Sequence, residues 1–211
     1  MGNLVYRSTK GSALTYGEMD GNLLELDNRT KEAWNHLRGN IAIGGANPPT
    51  NALYQGLVYL NWYDPDNMNE CTASFALPMD YVAGTDIYPH GHIVSQTASV
   101  GTVRWGFTIT WANPYTPDDT ANNRTPRADQ IFCTPFTVYK ENYKQAWDQN
   151  LHRESFVDTP ISLPLIQPHA VILIRVFRDA THPNDTYPDP VALVAFGINH
   201  KAFGPGASTP E

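Results

Sequence analysis

Val103-Arg104-Trp105-Gly106-Phe107-Thr108-Ile109-Thr110-Trp111 is the stretch that decides the fold class. Val103, Trp105, Phe107, Ile109 and Trp111 fall on one side of an extended chain, and Arg104, Gly106, Thr108 and Thr110 on the other. Successive side chains of a strand point to opposite faces, so this alternation describes a strand with one buried and one wet face. The same period continues on both sides. Residues 56–63, 71–77, 87–96, 131–139, 155–157, 171–178 and 191–199 read as further strands, separated by loops rich in Pro, Asn and Asp at 112–130, 158–169 and 179–190. Residues 141–151 read as a short helix. About eight strands without a βαβ rhythm predict an all-β chain, an antiparallel jelly-roll-like β-sandwich, with an immunoglobulin-like sandwich as the second topology.

Composition agrees. Of 211 residues, 41% are apolar and 17% charged, with 17 Pro, 11 Tyr and 5 Trp. This is far from the charged, aromatic-poor composition of disordered chains. The net charge of −7 argues against a nucleic-acid partner, which calls for basic patches. No apolar run nears the roughly 20 residues that span a bilayer, and the first residues lack the charged-then-apolar design of a secretion signal, so no membrane insertion is expected. Cys71 and Cys133 lack a CxxC spacing and are expected to be free thiols, with a single bridge as the other reading.

The first 40 residues follow a different rhythm. Met19, Leu23, Leu26, Thr30, Ala33 and Leu37 are spaced 4, 3, 4, 3, 4, an a/d seam over residues 18–38, with Ser12 or Thr15 as N-cap and Gly39 as stop. The expected organisation is an N-terminal arm and helix for anchoring and self-association (1–40), a Gly/Pro linker (41–52), the β-sandwich (53–205) and a tail (206–211).

Catalytic signatures are absent: there is no GxSxG, HExxH or glycine-rich phosphate loop. The strongest chemical candidate is Pro89-His90-Gly91-His92, whose imidazoles would share one strand face. His200 is the expected third metal ligand if its strand pairs nearby, and Asp86 the fourth. The plainer reading has both histidines bonding backbone or stacking on Trp105 or Trp111. Asp64-Pro65-Asp66-Asn67-Met68-Asn69-Glu70 alternates oxygen ligands as a calcium loop would, yet lacks the EF-hand Gly and Glu, and a turn is the better reading. Tyr115, Arg124, Arg127 and Tyr187 lie in long loops and are candidate recognition residues. Trp105 and Trp111 are expected in the core, not on a sugar-binding platform.

Several motifs, in order, resemble a known group of proteins. Leu14-Thr15-Tyr16-Gly17-Glu18-Met19-Asp20-Gly21-Asn22-Leu23 is similar to the opening segment of bacteriophage tail-fibre and other virion proteins. Trp34-Asn35-His36-Leu37-Arg38, Asn47-Pro48-Pro49, Gly84-Thr85-Asp86-Ile87-Tyr88-Pro89-His90-Gly91-His92, Phe177-Arg178-Asp179-Ala180 with Asn184-Asp185-Thr186-Tyr187, and Gly197-Ile198-Asn199-His200 resemble segments of small phage structural proteins. The chain departs from that pattern at Gly91, where a β-branched residue is usual, and in the last motif, where an acidic residue usually stands two before the histidine. The resemblance implies a non-enzymatic virion component, usually a homotrimer, anchored by its N-terminal segment. The expectation is a tail-fibre, spike or adaptor protein without a cofactor, partnered by its own copies, by other virion proteins and by a host receptor or glycan. A head decoration protein is the first alternative, and a carbohydrate-binding or metal-dependent jelly-roll module the second.

Overall fold

The computed structural model describes residues 12–20, 22–23, 32–114, 128–158 and 160–204. Eleven strands follow in chain order: β1 (Glu32–Arg38), β2 (Asn40–Ile43), β3 (Thr50–Tyr54), β4 (Val58–Tyr63), β5 (Glu70–Ala76), β6 (Ile87–Val94), β7 (Gly101–Ala112), β8 (Phe136–Lys144), β9 (Arg153–Phe156), β10 (Val171–Arg178) and β11 (Val191–Phe203). One sheet runs β3-β4-β11-β6-β9, with β1 also on β11; the other runs β2-β5-β10-β7-β8. All pairings are antiparallel.

The topology is a jelly roll. β4 pairs with β11, β5 with β10, β6 with β9 and β7 with β8. That nested pairing is one long hairpin rolled so that alternate rungs fall in opposite sheets. Val103, Trp105, Phe107, Ile109 and Trp111 are buried between the sheets, as the alternation requires. Ile172, Ile174 and Val176 of β10 and Phe196 and Ile198 of β11 close the same core.

The helical reading of residues 18–38 is corrected in its second half. Residues 16–20 and 22–23 are helical, and Thr15 caps them reciprocally: its Oγ1 accepts from the Glu18 amide at 3.3 Å, while Glu18 accepts from the Thr15 amide at 2.7 Å. Met19 and Leu23 stand exposed on this turn. Leu26 and Thr30 lie outside the described residues. Ala33 and Leu37 are in β1, not in a helix. The cause is tertiary. β11 is 13 residues long and β4 covers only its start, so the edge from Gly197 to Phe203 needs a partner, and β1 supplies it. The domain boundaries move accordingly. β1, β2 and β3 belong to the sandwich, so 41–52 is no linker and the sandwich begins by residue 32. The expected tail, 206–211, lies outside the described residues. The predicted helix at 141–151 is likewise replaced. β8 continues through Lys144 because its alternate residues pair β7 from Ile109 back to Gly101, and only a 3-10 turn, Ala146–Asp148, follows.

The loop after β10 is locked by charge. Arg178 is fully buried and all five of its N–H groups have acceptors. Nε and Nη2 grip the Asp185 carboxylate at 3.0 and 2.7 Å; Nη1 donates to the carbonyls of Tyr63 (3.2 Å) and Asp189 (2.8 Å), and Nη2 also to that of Tyr187. Arg104 joins Asp179 at 2.9 Å and Glu141 at 2.6 Å. The motif residues at 177–187 therefore hold the fold closed. Among the described residues no helix is long and apolar enough to cross a membrane.

Candidate functional site

The chemistry-bearing side chains converge on the outer face of the β3-β4-β11-β6-β9 sheet. Ile87 and Ile93 of β6 point into the core, so by alternation Tyr88, His90 and His92 point outward. β11 sets the neighbours. His90 pairs with Gly197 and His92 with Ala195. On the far side of β11, β1 brings His36 opposite Asn199. On the far side of β6, Glu154 of β9 pairs with His92.

Gly197 makes this arrangement possible. A Cβ there would overlap His36 Nε2 and lie 3.0 Å from His90 Nε2. The missing side chain leaves a hollow over β11 into which imidazoles from two strands lean from opposite sides. The rings of His36 and His90 meet edge-on, 4.6 Å between centroids, and His90 and His92 do so at 5.4 Å. His152, just before β9, stacks on His92, and a hydrogen bond of 2.7 Å joins His92 Nδ1 to His152 Nε2. His92 Nε2 lies 3.5 Å from Glu154 Oε1. His90, His92 and Glu154 place their ligand atoms within 4.8 Å of one another.

The surroundings of His90 and His92 favour their neutral forms. Burial, and then the neighbouring His36 and His92, push the pKa of His90 down to about 4. His92 is also lowered, by burial first, against the opposing pull of the Glu154 carboxylate. Neutral imidazole is the form that binds metal ions.

His90 and His92 share one strand face, as their spacing predicts, but their neighbours differ from those expected. His200 pairs with Ile87, so it faces the core beside Tyr81, on the opposite side of the sheet. It cannot join His90 and His92. Asp86 precedes β6 and is no member of the cluster. Trp105 and Trp111 are across the core, where Trp105 meets Tyr63 edge-on, so neither is the histidines' stacking partner. His36 escaped the sequence reading because the heptad spacing put it on a helix. Glu154 escaped because β6–β9 pairing has no local signal, although His152-x-Glu154 repeats the i, i+2 spacing of the HxH pair.

The other expected sites resolve differently. Tyr187 is 1% exposed, with its ring in the core and its hydroxyl 2.7 Å from Thr97 Oγ1, so it cannot serve in recognition. Tyr115, Arg124 and Arg127 lie outside the described residues. At 64–70 the turn reading holds. Buried Asn69 accepts from the Asp64 amide at 2.7 Å and donates to the Pro48 carbonyl, while Glu70 pairs with Arg175. Cys71 accepts from the Tyr63 hydroxyl at 2.9 Å, and Cys133 sits half-buried beside Thr110. Two clefts are open and shallow. One of about 410 Å³ is lined by Ala52, Leu53, Trp62, Asp64 and Thr97; the other, of about 360 Å³, by Tyr139, Lys140, Val157 and Asp158.

No family model matches the chain, and no curated protein matches it. Among solved structures, TmCBM61 in complex with beta-1,4-galactotriose is similar at 10% identity, over 84% of this chain and 92% of that one, with a TM-score of 0.27. A likeness that distant carries no argument about ligand or role.

Proposed function

We propose that the chain is a non-enzymatic structural protein of a bacteriophage virion, working as a homotrimer. The described part forms an assembly module, and the N-terminal segment before residue 32 attaches it to the particle as part of a tail fibre, spike or adaptor.

The observation that carries this reading is the exposure of large apolar side chains at two dissimilar sheet edges. The β3–β4 hairpin exposes Leu53, Leu57, Val58 and Tyr59, with Leu57 80% and Tyr59 67% exposed. At the other end of the order, in the second sheet, edge strand β8 exposes Tyr139 and Tyr143 on one face and Phe136 on the other. A heterologous contact between the two, repeated about a three-fold axis, closes into a ring and hides free strand edges. The family-like motifs support the same reading. The Arg178–Asp185 and Arg104–Asp179 pairs place motif residues in the scaffold, where a structural protein needs them.

The test is a phage that encodes this chain, with and without it. Detection in purified particles, with adsorption lost when the chain is removed, supports a tail role. Heat- or osmotically fragile filled heads support decoration of the capsid. Absence of the chain from purified particles overturns the proposal.

A further inference from the structure

We propose that the outer face of the first sheet binds one divalent transition-metal ion per chain, held by His36, His90, His92 and Glu154. The site is assembled from three strands, β1, β6 and β9, around the hollow at Gly197 of β11.

Three observations converge. The first is geometric. Ligand atoms of a tetrahedral site with bonds of about 2.0–2.1 Å stand roughly 3.4 Å apart. His92 Nε2 and Glu154 Oε1 are already 3.5 Å apart, and the group formed with His90 spans no more than 4.8 Å. Side-chain rotation closes this group of three, and His36, which stands outside it against His90, swings in as the fourth ligand. The second is Gly197. His36 and His90 both direct Nε2 toward the place its Cβ would occupy, so a glycine in the middle of a strand clears space for two imidazole nitrogens. The third is the orientation of His92. With Nε2 turned to Glu154, its Nδ1 meets His152 Nε2 at 2.7 Å. A ligating histidine commonly donates its other N–H to a second acceptor, and the His152 imidazole nitrogen stands where that acceptor fixes ring and tautomer.

Three imidazoles and one carboxylate suit zinc, nickel, cobalt or copper; calcium and magnesium prefer all-oxygen sets. Arg38, on the same face and repelling a proton on His92, opposes a cation there, so the net charge of the site depends on Glu154. Bound metal would tie β1, the first strand after the N-terminal segment, across β11 to β6 and β9.

The experiment uses the whole untagged chain, stripped with EDTA and dialysed. Zinc is titrated by calorimetry and cobalt by visible absorption, and thermal melts are recorded with and without zinc. The expected result is one equivalent of zinc, four-coordinate cobalt bands and a melting temperature raised by zinc. His92→Ala is expected to weaken binding by at least about 100-fold and His152→Ala by roughly 10–100-fold. Exposed His36→Ala must also weaken it, and remote His169→Asn must leave it unchanged. Matching melts in EDTA show that the variants fold. Failure to bind one equivalent, or binding that survives both His36→Ala and His92→Ala, overturns the proposal.

Discussion

Arg178→Met removes the guanidinium that fills the gap between β10, the end of β4 and the loop 179–190. Both sides of the ion pair are buried: the Arg178 side chain is 0% and the Asp185 side chain 1% exposed. After the substitution Asp185 keeps only the Arg104 amide as a donor, at 3.0 Å, and the carbonyls of Tyr63, Tyr187 and Asp189 lose theirs. Removing one partner of a buried pair costs about 3–5 kcal/mol, because the other charge stays buried. A chain of this size loses about 2–4 °C of melting temperature per kcal/mol, so the expected drop is roughly 6–20 °C. Urea unfolding followed by tryptophan fluorescence gives the free energy directly. The double variant Arg178→Met, Asp185→Leu should regain part of the loss, since an apolar pair of similar volume is tolerated better than a lone charge. A loss under about 1 kcal/mol for the single variant would refute the assignment of this pair as the lock on the loop.

Gly106→Ala places a methyl 2.6 Å from two ring carbons of buried Phe177, closer still to Cζ, and should cost about 1–3 kcal/mol; an unchanged urea midpoint would show that Phe177 does not press on β7. Acid should destabilise the fold through its buried histidines. His90 titrates near 4 when folded and near 6.5 when unfolded, so its contribution is complete above 6.5 and lost as pH falls from there toward 4. His200, lowered by burial against the pull of Asp80 and with His36 adding to the lowering, acts in the same direction. In EDTA, unfolding free energies at pH 7 and 5 should differ by on the order of 2 kcal/mol from His90 alone, and equal values would contradict its burial. Burial pushes the Cys71 thiol up to about 11 and leaves it 1% exposed, so a thiol reagent should modify only Cys133 in the native chain and both cysteines in guanidinium.

The strands were legible wherever one face is wet and the other buried, because period two then appears in the residues themselves. β7 is the clearest instance, and β4 and β5 follow; β10 and β11 are legible instead as runs apolar on both faces, between Pro- and Asp-rich loops. β1 was hidden by coincidence. Ala33 and Leu37 satisfy a heptad spacing with Met19, Leu23, Leu26 and Thr30, yet Trp34, His36 and Arg38 alternate equally well with Ala33, Asn35 and Leu37. The uncovered edge of β11 decides between the two, and that edge exists only in the folded chain. The end of β8 is obscured by Glu141-Asn142-Tyr143-Lys144, where one tyrosine among three polar residues makes no apolar alternation. Half of the candidate site, His90 and His92, could be read from spacing. His200 was misplaced by parity: the register sets it opposite Ile87, and one position along a strand reverses the face. His36 and Glu154 come from strands joined to β6 only through the sheet, which no local pattern announces.

Assembly through two unlike edges is tested most directly by the mass of the chain in solution. Light scattering at micromolar concentration should give about 70 kDa, three chains of 23.5 kDa. Charge placed on one edge, as in Tyr59→Lys with Leu57→Glu, should return the mass to a single chain with an unchanged circular dichroism spectrum. A stable 23.5 kDa particle from the unaltered chain would contradict the account.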